Sequence, residues 1–173
     1  LREKDAPQAE GGRRARARAP LARAAGVPFV VNDDVEAAAR AGADGVHVGQ
    51  EDAACADARA KLGPDAIVGV SVQTVEQALA AQAAGADYLG VGAVFGTSTK
   101  PDAADVGTDG LAAICAAVDV PVVAIGGLNE QTIPALAGTG ADGAAVVSAI
   151  FAADDIEATT RRLRAAVQAA LGA

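Results

Sequence analysis

The sequence predicts an α/β fold built on a parallel sheet, and two observations support that prediction. Six apolar segments alternate with six helical patterns along the 173 residues, which is the arrangement of consecutive βαβ units. In three of these segments Gly, Ala and Asp precede the apolar run: AGADGVHVGQ at 41–50, AGADYLGVGA at 84–93 and TGADGAAVVS at 139–148. The glycine is typical of a helix C-terminus. The run after it does not alternate, as expected for a strand buried on both faces.

The remaining elements follow in order. The first and fifth strands, 29–32 and 122–125, each come after a Val-Pro pair, and the third, 67–72, comes after the turn LGPDA. The second, fourth and sixth strands are the runs that follow the Gly-Ala-Asp triplets. Helices are predicted at 35–41, 53–62, 75–84, 109–118, 130–137 and 154–170. Residues 5–26 predict only a poor helix, because two glycines and Pro20 interrupt a basic, alanine-rich stretch.

Two parallel architectures fit this order, an open doubly wound sheet and a closed (β/α)8 TIM barrel. The doubly wound sheet needs a Gly-rich phosphate turn after its first strand, and the chain has VNDD there. Polar residues instead follow nearly every strand, as in a barrel whose active site is assembled from many βα loops. The prediction is therefore one domain, 1–173, with about six of the eight barrel strands.

The chain begins at Leu1 and contains no methionine, so we expect further sequence upstream. Because only six of the eight barrel strands are visible, we expect that sequence to supply the first strand, the first helix and most of the second strand, with LREK as the tail of a strand. The six strands would then form an open arc in sequence order. The strands at 29–32 and 144–148 would be apolar edges, so we expect this chain alone to aggregate or to be inactive.

Composition excludes several classes of function. The net charge of −8 argues against a nucleic-acid partner, and the apolar runs are too short to cross a bilayer. We see no signal peptide, and two cysteines give no disulfide framework, so a cytoplasmic location is expected. Cys55 and Cys115 are predicted to be small packed hydrophobes in helices.

The polar residues after the strands fall into two groups. Asp33 and Asp52 are carboxylates at adjacent strand ends, a donor set that suits Mg²⁺ bound through a substrate phosphate. The alternative for such an aspartate is a helix N-cap, which we assign to Asp34. Arg2, Lys4 and Lys100 are cations that could clamp a pyrophosphate.

The second group follows the last two strands. The Gly126-Gly127 pair leaves backbone N–H groups available to an anion, and Ser148 lies in the next loop, where barrels often bind phosphate. Two phosphate sites imply two small phosphorylated substrates, or one substrate with two phosphorylated ends. His47 is the only histidine; a catalytic role and a hydrogen-bonded interior role are both open.

The ordered set LREK, VNDD, GVHVGQED, GVSVQT, ADYLGVGAVFGTSTKPDA, VVAIGGL and GAAVVSAI resembles the thiamine-phosphate synthase family. The resemblance runs from residue 1 to about 150 and implies a (β/α)8 barrel. It also implies a reaction. A Mg²⁺-dependent transferase joins 4-amino-2-methyl-5-hydroxymethylpyrimidine diphosphate to 4-methyl-5-(2-phosphoethyl)thiazole, or to its carboxylated form, in thiamine biosynthesis. The diphosphate leaves first, and the thiazole nitrogen captures the resulting cation.

The resemblance also implies site residues. The pyrimidine diphosphate would be bound by Arg2, Glu3, Lys4, Asn32, Ser71 and Lys100, of which Arg2, Ser71 and Lys100 are the candidate catalytic residues. Mg²⁺ would be bound by Asp33 and Asp52. The thiazole phosphate would be bound by Thr97, Ser98, Thr99, Gly127, Val147 and Ser148.

Two alternatives remain open at this stage. A thiazole tautomerase-like relative would share the thiazole phosphate site but would not need the paired carboxylates, Lys100 and the Arg-Glu-Lys segment together. A truncated, inactive phosphate-binding barrel is the other alternative. The sequence does not fix the oligomeric state or the preferred form of the thiazole.

Overall fold

The structure is a computed structural model that describes residues 1–2, 8–50, 55–96 and 105–172. Within these residues strands and helices alternate as predicted. The strands are β1 (Val30–Asn32), β2 (Gly45–Val48), β3 (Ile67–Val72), β4 (Tyr88–Val91), β5 (Val122–Ile125) and β6 (Gly143–Ala145). The helices are α1 (Gln8–Ala24), α2 (Val35–Ala41), α3 (Cys55–Leu62), α4 (Val75–Ala83), α5 (Gly107–Ala117), α6 (Ser148–Phe151) and α7 (Ile156–Leu171), with a 3₁₀ helix at Ile133–Leu136.

In the described part of the chain the six strands form one sheet in sequence order, β1-β2-β3-β4-β5-β6. Strand β1 pairs in parallel with β2, β2 with β3, β4 with β5, and β5 with β6. This order is that of consecutive strands of a (β/α)8 barrel, so the predicted fold class is confirmed. The chain divides into two compact units, 1–71 with 83–87, and 72–82 with 88–173; the assignment of one domain over 1–173 stays a prediction.

Three expected elements differ from the structure, the first being the poor helix at 5–26. A helix of 17 residues, α1, forms there with Pro20 inside it. Packing against α2 overrides the weak intrinsic propensity. Ala15 and Ala19 are buried, and the Arg16 Nε donates to the backbone oxygen of Arg40 at 3.1 Å.

The other two differences lie in the second unit. The helix expected at 130–137 is only the 3₁₀ turn, because Pro134 falls at its start and Gly138 follows its end. The sixth strand ends at Ala145 rather than at 148, since α6 begins at Ser148.

The Gly-Ala-Asp repeat has one structural role at the amino ends of the strands. Each aspartate accepts a hydrogen bond from the backbone N–H of a residue in the preceding segment of the sheet, and returns one from its own N–H to that residue's carbonyl. The three pairs are Asp44 with Phe29, at 2.7 and 2.9 Å, Asp87 with Val68, at 2.7 and 2.8 Å, and Asp142 with Val122, at 2.8 and 2.8 Å. We call Asp44, Asp87 and Asp142 the strand-start aspartates.

The core residues are small and aliphatic, as the composition indicates. Val46, Val68 and Leu89 on the strands are fully buried, as is Leu111 on α5. Cys55 is buried on α3 and Cys115 is half-buried on α5, and burial raises the pKa of both thiols. The prediction that both act as packed hydrophobes is confirmed. None of the helices in the described ranges is both long enough and apolar enough to span a membrane.

Candidate active site

Two consecutive aspartates, Asp33 and Asp34, follow the carboxyl end of β1 and have different structural roles. Asp34 is the N-cap of α2, and its Oδ1 accepts from the N–H of Ala37 at 2.8 Å; the predicted cap is confirmed. Asp33, one residue earlier, has φ of 68°, a left-handed conformation that Asp tolerates better than most residues. Its N–H donates to the His47 carbonyl at 2.8 Å. The end of β2 therefore fixes the backbone from which the half-buried Asp33 projects.

The segment that leads to Arg2 runs beside the same strand. The Asn32 N–H donates to the Leu1 carbonyl at 2.8 Å. Arg2 is exposed, and the chain places it next to the end of β1, where the sequence predicts a cation. The predicted site residues Glu3 and Lys4 lie outside the described residues.

The ends of β2 and β3 are joined through side chains. The Nε2 of His47 lies 2.8 Å from the Oγ of Ser71, and the Nε2 of Gln50 donates to the Ser71 carbonyl at 2.9 Å. Asn32 is in register with His47, and His47 is in register with Gly69. The first unit therefore brings Asn32, His47 and Ser71 to one end of three neighbouring strands.

The second unit explains the Gly126-Gly127 pair that follows β5. Both glycines have positive φ, 100° and 65°, and the chain after β4 passes directly against them. The N–H of Phe95 donates to the Gly126 carbonyl at 3.1 Å. A Cβ on Gly126 would lie 2.7 Å from the Ala93 Cα, and one on Gly127 would lie 2.7 Å from the Phe95 Cβ. Conformation and space therefore both require glycine here.

Two residues that hydrogen-bond at this turn, Asn129 and Thr132, were not identified from the sequence. The Thr132 hydroxyl donates to the Gly127 carbonyl at 2.9 Å, and the Oδ1 of Asn129 accepts from the Thr132 N–H at 3.1 Å. Together these hydrogen bonds restrain the backbone that follows Gly127. The available signal was the spacing Asn-x-x-Thr that begins two residues after Gly127, which is typical of a local side-chain turn.

Val147 and Ser148 follow β6, and both are exposed. Ser148 is the first residue of α6, and Val147 occupies the N-cap without a side-chain hydrogen bond. The other predicted members of the thiazole phosphate set, Thr97, Ser98 and Thr99, lie outside the described residues, as does Lys100.

Of the two predicted Mg²⁺ ligands, the described residues include Asp33. Among the described residues no group of three or more His, Cys, Asp or Glu side chains is close enough to bind a metal ion. Asp33 fits as one hard oxygen ligand at a strand end, which is the donor type that Mg²⁺ prefers. Mg²⁺ usually needs only one or two protein carboxylates in addition to substrate phosphates, and the second predicted ligand, Asp52, lies outside the described residues.

Comparison with known proteins identifies relatives of this chain. The family model described as thiamine monophosphate synthase matches residues 1–150. The thiamine-phosphate synthase of Moorella thermoacetica is 47% identical over 173 residues, covering 99% of this chain and 82% of that protein. That of Chloroflexus aurantiacus is 53% identical over 148 residues, covering 85% of this chain and 68% of that protein.

A solved structure agrees with these sequence matches. The thiamine phosphate pyrophosphorylase from Pyrococcus furiosus superposes with a TM-score of 0.90 at 41% identity, covering 99% of this chain and 82% of that one. The family match, the curated relatives and this structure all extend over most of the chain and point to one group of proteins. The chain therefore belongs to the thiamine monophosphate synthase family.

Proposed function

We propose that this chain catalyses the synthesis of thiamine phosphate from 4-amino-2-methyl-5-hydroxymethylpyrimidine diphosphate and 4-methyl-5-(2-phosphoethyl)thiazole, or its carboxylated form, with release of pyrophosphate. Its relatives at 47% and 53% identity are named thiamine-phosphate synthases. The observation in the structure that supports the proposal most directly is the group at the ends of β1–β3. There Asp33 is held in a left-handed conformation against His47, and His47 in turn contacts Ser71.

The first step is departure of the diphosphate from the pyrimidine methylene carbon. The C–O bond breaks with both electrons going to the leaving oxygen, and a pyrimidinylmethyl cation remains. Negative charge therefore grows on the diphosphate in the transition state, where cations and hydrogen-bond donors contribute most. The residues proposed for this part are Arg2, Glu3, Lys4, Asn32, Ser71 and Lys100.

Asp33 and Asp52 are the carboxylates proposed to bind Mg²⁺ beside that diphosphate. When bound, the ion would neutralise charge on the leaving group. The fixed backbone at Asp33 supports this role, because a ligand aimed by the fold has little conformational entropy left to lose.

The second step forms a carbon–nitrogen bond when the thiazole nitrogen lone pair attacks the cation. This capture transfers no proton, so it requires no general base. What the protein must supply is position, and the proposed phosphate anchors are Thr97, Ser98, Thr99, Gly127, Val147 and Ser148. The rigid glycine turn, held by Phe95 and Thr132, supports an anchor whose charge does not change during the reaction.

The proposal is tested by measuring pyrophosphate release by the purified protein that contains this sequence, with both substrates and Mg²⁺ present and with each omitted in turn. Release should require all three. Lys100→Ala should lower kcat, whereas Ser148→Ala should mainly raise the KM for the thiazole phosphate. The reverse pattern would mean that the two phosphate sites are exchanged, and no release by folded protein would contradict the proposal.

A further inference from the structure

His47 contacts a proposed substrate-binding residue without itself belonging to the proposed set. Its Nε2 lies 2.8 Å from the Ser71 Oγ, and both side chains are half-buried. We infer that His47 is a positioning residue that directs the Ser71 hydroxyl hydrogen toward a diphosphate oxygen. The inference rests on the proposed function, because it needs an anion at Ser71.

The sheet register brings the imidazole to this serine. His47 on β2 is in register with Gly69 on β3, and Ser71 lies two residues further along, on the same face of the strand. Gly69 has no side chain, so the imidazole can extend along β3 toward Ser71 without meeting one at the paired position.

The direction of the hydrogen bond follows from what each group can donate. A serine hydroxyl carries one hydrogen, and a diphosphate oxygen can only accept. If Ser71 donates to the diphosphate, its Oγ must accept from His47, so Nε2 must carry the proton. His47 with Nε2 protonated therefore leaves the hydroxyl hydrogen pointing away from the imidazole and available to the anion.

The second contact of Ser71 strengthens the same geometry. Gln50 donates to the Ser71 carbonyl at 2.9 Å, so the backbone of the serine is fixed from the β2 side as well. With its carbonyl held by Gln50 and its hydroxyl by His47, Ser71 is preorganised for a ligand at the carboxyl end of the sheet.

Matched variants separate this role from a purely structural one. His47→Gln keeps an amide N–H donor that can reach Ser71, whereas His47→Leu removes any donor. We expect His47→Leu to lower kcat by between about 10- and 100-fold, as for a misplaced substrate-positioning group, with the KM for the thiazole phosphate unchanged. His47→Gln should stay within about 5-fold of the parent chain, since it restores a donor.

A double-mutant cycle provides the second readout. If His47 acts through Ser71, His47→Leu should have almost no further effect in a Ser71→Ala background. Multiplicative losses in the double variant, or equal losses for His47→Gln and His47→Leu with unchanged urea midpoints, would overturn the inference. Full activity of His47→Leu would overturn it too.

A binding measurement distinguishes failure of this inference from failure of the proposed function. Calorimetric titration with Mg²⁺ and pyrophosphate should give weaker binding for His47→Leu and near-parental binding for His47→Gln, whether or not the chain turns over. If the parent chain releases no pyrophosphate but this ranking holds, the inference stands and the proposed activity is wrong. If turnover occurs and the ranking is absent, the inference is wrong and the activity stands.

Discussion

The residues at the amino ends of the strands and those at the carboxyl ends make different kinds of contact. At the amino ends, Asp44, Asp87 and Asp142 each make the same reciprocal pair of backbone contacts. The carboxyl ends differ from one another. Asp33 is in a left-handed conformation, the Ser71 hydroxyl contacts a histidine, and Gly127 packs closely against the chain at Phe95. The contacts that repeat stabilise the fold, whereas the arrangements that occur once belong to the candidate active site.

The reason is physical. Every strand start leaves a backbone N–H that must find an acceptor when it is buried, so one solution can be copied along the chain. A ligand presents a different atom to each loop, so the carboxyl ends do not share a solution. The comparison predicts that substitutions of the strand-start aspartates change stability, whereas substitutions of the polar side chains at the carboxyl ends change turnover.

The largest expected effect is at Asp33. Asp33→Asn preserves tolerance of the left-handed backbone but removes the charge proposed to bind Mg²⁺. We expect kcat to fall by about 100-fold or more, the usual size for loss of one electrostatic group, with little change in the free energy of unfolding. Steady-state kinetics and urea unfolding measure the two quantities.

The neighbouring residue supplies the control for that experiment. Asp34→Asn makes the same chemical change one position later, where Asn caps a helix about as well as Asp, so turnover should be close to that of the parent chain. Equal losses at both positions would show that any lost charge near β1 reduces activity, and the separate role of Asp33 would be wrong.

The second prediction concerns the glycine turn after β5, where one substitution should change both stability and binding. Gly127→Ala must accept φ of 65° and a Cβ 2.7 Å from that of Phe95. We expect a loss of about 2–4 kcal/mol in the free energy of unfolding from strain and overpacking together, and a raised KM for the thiazole phosphate. Gly138→Ala is the control, because Gly138 has φ of 78° but open space around it; it should lose only about 1–2 kcal/mol.

At the amino end, Asp142→Ala should do the opposite of Asp33→Asn. It leaves the N–H of buried Val122 without its acceptor, which costs about 1–3 kcal/mol of stability, while kcat of the folded protein stays unchanged. Asp142→Asn keeps an acceptor oxygen and should lose less. A fall in kcat for Asp142→Ala at temperatures where the protein is folded would break the division between the two ends.

The smallest expected effect is at a surface ion pair between α2 and α3. The hydrogen bond from Lys61, at 2.7 Å, lowers the pKa of Glu36 below its ordinary 4.5. A lowered folded-state pKa stabilises the protein fully above pH 4.5, and this contribution is lost as the pH falls through the lowered pKa. Lys61→Gln should remove this slight pH dependence of the melting temperature, and Lys61→Arg should keep it.

Salt gives an independent check on that pair. Both side chains are exposed, so screening should abolish the difference between the parent chain and Lys61→Gln at about 1 M salt. A difference that persists unchanged in high salt would show that Lys61 acts through packing of its methylene groups rather than through its charge.

Local patterns were enough to predict most of the scaffold. The apolar runs and Gly-Ala-Asp triplets located all six strands, and β3 and β5 have the predicted bounds. Asp34 was identified as a cap because a cap depends only on residues three positions apart. The helix α1 was underestimated, since its stability comes from packing of Ala15 and Ala19, which composition alone does not reveal.

The candidate site was predictable as a set of positions but not as a set of contacts. Strand ends bring polar residues to one edge whatever the register, so Asn32, Asp33 and Ser71 could be proposed from the sequence. The contact between His47 and Ser71 depends on the pairing of His47 with Gly69, and the role of Gly127 depends on how closely Phe95 approaches it. Both are tertiary facts that no local pattern contains.

The approach of Phe95 to the glycine turn also has a thermodynamic meaning. Because the N–H of Phe95 donates to the Gly126 carbonyl, and a Cβ on Gly127 would meet Phe95 and Gly96, the turn after β5 and the chain just after β4 hold each other in place. Local opening of either segment should therefore open the other, so the two behave as one cooperative unit in the native state.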